Sequence, residues 1–373
     1  MRSVATRWPL VVPILGLVVM AFALGVGGGG VLTALAAVFL AACVLAAVHH
    51  AEVVALRVGE PFGSLVLAVA VTIIEVALIV TLMVSGGPDK ASLARDTVFA
   101  ALMITCNGIV GLCLVVTTLR GKPAIFNAAG TGAALATITV LATLSLVLPS
   151  FTTSTPGPTF SGFQLAFAAA ASLVLYGLFV FVQAVRHRDF FLPPVRTGLG
   201  APESPVEGSP DDEPDEHAEA PTGRAAAASL ALLFVALICV VGLAKVVSPT
   251  IENAVRDARL PLGVVGVVIA LLVLLPESLA ALRSARRGRL QTSMNLAYGS
   301  AMASIGLTIP VIAVASLWMA APLELGLNPV EMVLLALTAL VGFLTITPGR
   351  ATLLQGAVLL SIFAGFVVLA VNP

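Results

Sequence analysis

Two glutamates stand where a carboxylate is costly. Glu75 lies in the run Val71-Thr72-Ile73-Ile74-Glu75-Val76-Ala77, and Glu277 lies in Leu274-Leu275-Pro276-Glu277-Ser278-Leu279-Ala280. A charged side chain at the centre of a membrane helix costs about 2.5–3.5 kcal/mol on insertion scales, so a residue kept there points to function. Two carboxylates brought together can hold a cation or protons. Their titrations would be coupled, so neither would own a separate pKa. For either residue alone the structural alternative is a protonated glutamate hydrogen-bonded to a neighbouring helix. The matched pair favours ion binding.

The apolar run after each glutamate carries small and polar residues. After Glu75 these are Thr105, Cys106, Asn107 and Gly108; after Glu277 they are Asn295, Gly299, Ser300 and Ser304. Asn107, Asn295 and Ser300 are the candidate supporting ligands; interhelical packing is their alternative role. Calcium takes six to eight oxygens, more than two carboxylates supply. Pro276 removes one helical N–H and crowds the carbonyl of Leu272, predicting a bend that frees a further oxygen. A second polar group, His49, His50 and Glu52 with Arg57 and Glu60 nearby, could sense protons, because histidine titrates near neutrality. A polar helix end at the membrane surface is its alternative role. His50 and Glu52 are two residues apart, so they fall on different helix faces and do not form a metalloprotease-type zinc site.

The elements that carry these residues are membrane helices. Of the 373 residues 59% are hydrophobic and 10% charged, against about a quarter charged in a soluble domain. About 20 helical residues cross a bilayer, and eleven such spans are expected, near 9–26, 31–50, 62–85, 95–118, 128–149, 160–185, 225–247, 261–283, 291–318, 329–346 and 352–371. The first follows Arg2 and Arg7 as a signal peptide would, yet a second span follows at once, so it reads as a retained helix. Cys43, Cys106, Cys113 and Cys239 all lie in apolar runs without a C-x-x-C pair, which indicates buried thiols and neither disulfides nor zinc. A net charge of zero without a basic stripe gives no reason to expect nucleic acid.

Residues 187–224 differ in kind. They hold seven prolines and the acids Asp211, Asp212, Glu213, Asp215 and Glu216, the composition of a solvated tether. With the N-terminus in the cytoplasm, fourteen of the nineteen Lys and Arg residues fall on inner segments, which sets that orientation and leaves the C-terminus outside. Setting aside an extra helix within residues 1–30, five spans lie in 31–186 and five in 225–373, on either side of the 187–224 linker. Each glutamate is then on the second helix of its half, and the two helices cross in opposite directions. That is an inverted repeat, with the ion site near the midplane where the halves meet. An all-α polytopic fold of this kind offers no nucleophile–base constellation for an enzyme and no ring of repeated ligands for a channel filter.

Several motifs resemble the ChaA-type calcium/proton antiporters of the calcium:cation antiporter superfamily. Gly59-Glu60-Pro61-Phe62-Gly63 running into Ile73-Ile74-Glu75-Val76 is similar to their first repeat, as are Asp96-Thr97-Val98-Phe99-Ala100-Ala101 and Asn107-Gly108-Ile109-Val110-Gly111. Leu275-Pro276-Glu277-Ser278, Asn295-Leu296-Ala297-Tyr298-Gly299-Ser300-Ala301 and Gly306-Leu307-Thr308-Ile309-Pro310 are similar to the second. The resemblance spans roughly residues 45 to 320. It implies a multi-pass bacterial inner-membrane protein without a cofactor, in which calcium and protons compete for the repeat glutamates. A sodium or potassium/proton antiporter on the same fold is the alternative. Relatives commonly carry a Gly-Ser pair where Leu102 and Met103 stand, and glutamine near Ala303; both departures leave fewer side-chain ligands.

Overall fold

The structure, a computed structural model, describes residues 8–26, 30–59, 62–86, 91–119, 121, 123–193, 221–261, 263–318 and 323–373. Glu60 and the linker acids Asp211, Asp212, Glu213, Asp215 and Glu216 lie outside the described residues.

Each expected span is a helix. They are α1 (Trp8–Val26), α2 (Gly30–Val58), α3 (Phe62–Gly86), α4 (Leu93–Thr118), α5 (Ala128–Ser150), α6 (Gly162–Arg186), α7 (Gly223–Asp257), α8 (Gly263–Arg286), α9 (Leu290–Ala315), α10 (Pro329–Ile346) and α11 (Leu353–Val371). Over their described residues ten are long and apolar enough to cross a bilayer; in α3 the described apolar stretch is Val69–Met83. Val31, Phe163 and Trp318 are more than three-quarters exposed, a burden in water that lipid removes. The chain is an all-α polytopic membrane protein.

Three helices widen locally into π-helix, at Ile104–Ile109, Thr143–Val147 and Val182–Arg186. In α4 the Thr105 hydroxyl donates to the Ala101 carbonyl at 2.7 Å and to the Leu102 carbonyl at 3.1 Å, a back-bond that favours bending. The helix around Pro276 stays a single element from Gly263 to Arg286.

Two short pairings set the direction of the helices. Strand β1 (Ala124–Ile125), between α4 and α5, pairs antiparallel with β2 (Arg350–Ala351), between α10 and α11. On the other side Thr159, between α5 and α6, bridges to Glu324, between α9 and α10. So α5 runs from the β1 side to the Thr159 side while α10 runs the opposite way. Successive helices joined by short connections alternate in direction, so α3 and α8 are antiparallel. Packing is reciprocal too: α6 lies on α9 and α11 on α4, α3 on α9 and α8 on α4, and α2 lies along α7. One apolar core surrounds α4 and α9; a second joins α2, α3 and α7.

Helix α1 docks against α2 and α7. Pro13 inside it has no N–H, which leaves the Pro9 carbonyl without its helical donor. His50 Nε2 meets that carbonyl at 3.0 Å. Cys239 Sγ donates to the Pro13 carbonyl at 3.2 Å, and all four cysteines are free and buried. His50→Ala should lower the thermal unfolding midpoint, since an unpaired buried carbonyl costs about 1–3 kcal/mol. His50→Gln, whose amide can donate, should recover part of the loss. The same variants discriminate the sensing role expected of His49, His50 and Glu52: a pH profile of transport unmoved in His50→Gln leaves His50 as a docking residue, and a shifted profile makes it a sensor.

Candidate functional site

A cavity of about 490 Å³ lies between α3, α6, α8 and α9 and has both glutamates on its wall. Glu75 is 4% exposed and Glu277 9%. Their helices cross in opposite directions, so the two carboxyls enter the cavity from different halves of the chain. They lie within electrostatic reach of each other. Thr72, one turn before Glu75 on α3, shares the wall.

The two carboxyls are held differently. Ser304 Oγ on α9 donates to Glu75 Oε1 at 2.6 Å, the short distance of a charge-assisted bond. Thr308, one turn further along α9, puts a buried hydroxyl beside Glu75, with no hydrogen-bond partner within bonding geometry among the described residues. Glu277 Oε2 is buried and likewise lacks a partner among the described residues. Buried polar atoms are nearly always paired, so an unpaired carboxyl oxygen on a cavity wall is suited to a proton or a cation.

The supporting residues divide. Ser300 and Asn295 line the cavity with the glutamates. Asn107 is not among its lining residues; its amide donates to Thr338 Oγ1 at 2.9 Å, joining α4 to α10. Asn295 already uses both ends of its amide. Its Nδ2 donates to the Phe191 carbonyl at 2.7 Å and its Oδ1 accepts from Gln291 Nε2 at 2.9 Å. His49, His50 and Glu52 are absent from the lining; His50 is buried against α1, and Glu52 is exposed and within electrostatic reach of Arg283.

Sequence reasoning did not assign Ser304, Thr72, Gln183 or Arg188, all on the cavity wall. Ser304 carried a signal, one turn after Ser300 on the same helix. Arg188, beyond the end of α6, carried none. Ser304→Ala should weaken cation affinity by about tenfold or more while leaving the protein folded, because it removes one bond worth about 1.5–3 kcal/mol to a charged group. Ion titrations on the purified variant check it; an unchanged affinity would detach Ser304 from the site.

The chain is similar to known proteins along almost its whole length. The profile of the family described as sodium/calcium exchanger protein matches residues 29–185 and 228–372. A Sinorhizobium fredii protein, y4hA, named as an ionic transporter, is 45% identical over 369 residues, 98% of this chain and 96% of that one. The sodium-potassium/proton antiporter ChaA of Escherichia coli is 32% identical over 320 residues, 86% of this chain and 83% of that one. Among solved structures, native YfkE superposes with a TM-score of 0.69 at 15% identity, covering 98% of this chain and all of that one. The H+/Ca2+ exchanger CAX gives 0.68 at 14%, covering 96% and 87%. At such identities these two show the fold.

Proposed function

Because the chain belongs to the sodium/calcium exchanger protein family, we propose that it exchanges calcium for protons, with both competing for Glu75 and Glu277. It is a cation antiporter of the membrane and not an enzyme. The observation that carries the finer reading is the shared cavity, into which two buried carboxyls enter from helices of opposite direction.

Ionised, the pair carries two negative charges and matches one divalent cation. Protonated, it is neutral and can pass the low-dielectric region without metal, since an unpaired charge there is costly. Ser304 orients Glu75; the unpaired Glu277 oxygen is left for the ion or proton. Ser300 and the cavity-facing Thr72 are further oxygen sources; Asn107 belongs to the packing of α4 on α10, and Asn295 to the fastening of the Phe191 segment.

We read residues 31–186 and 225–373 as inverted repeats around this site. The opposed directions of α3 and α8, the reciprocal packing and the two loop pairings support that reading. Rocking of one repeat against the other would alternate access. The Lys/Arg distribution supports a cytoplasmic N-terminus and an outer C-terminus.

Sodium or potassium exchange for protons is the second reading, favoured by the name of the 32% identical relative. Proton flux in proteoliposomes given calcium, then sodium, then potassium separates the two. Proton release saturating with calcium supports the first; a response to sodium or potassium alone replaces it with the second.

A further inference from the structure

The cavity that holds two carboxyls also holds a cation. Arg188 lines it together with Phe191 and Leu192. It follows α6 in the short 3-10 turn Arg188–Phe191. Arg188 is exposed and makes no ion pair among the described residues. Glu75 lies deep while the Arg188 turn lies at the mouth: Phe191 is bonded at the level of Asn295, and Glu75 at the level of Ser304. Those two α9 positions are nine residues apart, about 13 Å of helix rise.

The turn that carries Arg188 is fastened on several sides. Asn295 Nδ2 donates to the Phe191 carbonyl at 2.7 Å and Asn127 Nδ2 to the Asp189 carbonyl at 3.3 Å. The Phe190 carbonyl lies against Gly130 so closely that an added Cβ would sit 2.2 Å away. The Phe191 ring stands edge-on to Phe179, centroids 5.6 Å apart. Gln291 ties the set together, bonding Asn295 at 2.9 Å and the Asn127 backbone N–H at 2.6 Å. A turn held this way keeps the Arg188 backbone at the mouth of the cavity that leads to the glutamates.

We propose that Arg188 is a specificity-determining residue that weakens the binding of divalent cations more than that of monovalent ones. This rests on Glu75 and Glu277 being the ion site reached through this cavity. Coulomb repulsion scales with the charge of the incoming ion. If the guanidinium costs a monovalent ion a given factor in affinity, it costs a divalent ion the square of that factor. At a separation on the order of 10 Å in a partly hydrated cavity the expected factor is about threefold for a monovalent ion and about tenfold for a divalent one. A displaced proton feels the same repulsion, so the effect is full only where the empty carboxyls are already ionised and shrinks as pH falls.

The test uses the purified protein with Arg188→Gln and Arg188→Lys. Ion affinity is read from thermal stabilisation by calcium and by sodium, at a pH where affinity no longer rises with alkalinity. Arg188→Gln should tighten calcium about tenfold and sodium about threefold, and Arg188→Lys should stay near wild type. Raising ionic strength with choline chloride should narrow the same gap in the unmodified protein, because salt screens the charge. No tightening of any ion that binds, or equal tightening of both, overturns the proposal. Glu277→Gln in either background keeps the two readings apart: if ions stabilise it as strongly as before, the glutamates are not the site and the premise itself fails.

Discussion

Glu75→Gln should abolish cation-driven proton movement in proteoliposomes, and Glu277→Gln should do the same, with flux expected to fall to that of liposomes without protein. Glutamine keeps the volume of glutamate and can still accept the Ser304 bond that holds position 75. It cannot carry the negative charge that binds a cation, nor take up and release a proton at neutral pH. The loss is therefore of exchange and not of fold, and size-exclusion profiles of both variants should match the unmodified protein. Removing a buried charge at a helix centre lifts an insertion cost of about 2.5–3.5 kcal/mol, so stability should hold or rise. In the unmodified protein the apparent cation affinity should fall as pH is lowered, since protons occupy the same oxygens. Exchange retained in both single variants would remove the carboxyls from the mechanism.

Gly356→Leu should have a large effect on folding. Gly111 of α4 and Gly356 of α11 meet backbone to backbone. A Cβ added at 356 would stand 2.9 Å from the Val115 nitrogen and 3.0 Å from the Gly111 carbonyl oxygen. Contacts that short involve main chain on both sides, so no side-chain rotation relieves them. In lipid the association of helices depends on such close packing, because the hydrophobic effect does not drive it. Overpacking of this kind costs about 1–3 kcal/mol and can cost more. Moving α11 also disturbs α4, which packs on α8, the helix that carries Glu277. Gly356→Leu should lose most of its monodisperse protein in detergent, with Gly356→Ala intermediate. Full yield and an unchanged unfolding midpoint in Gly356→Leu would show that α4 and α11 do not meet here.

The number and placement of the spans were legible because the bilayer imposes a length. A run of about 20 apolar residues must become a helix, since no other element satisfies its backbone in lipid. Glu75 and Glu277 were legible for the same reason, being costly in such runs. Their antiparallel helices follow from counting spans, and the loop pairings of β1 with β2 and of Thr159 with Glu324 agree.

The tertiary structure alone decided which polar residue faces which cavity. Asn107 and Ser304 are both buried polar residues on the helix after a glutamate, yet Ser304 bonds Glu75 while Asn107 bonds Thr338. Helices apolar on every face carry no periodicity that separates a lipid-facing side from a protein-facing one, and the π-segment that includes Asn107 turns the faces further. Arg188 was invisible for a related reason. Its sequence neighbours are those of a helix end and linker, and only the bonds from Asn127 and Asn295, more than 60 and 100 residues away, fold that turn back over the cavity.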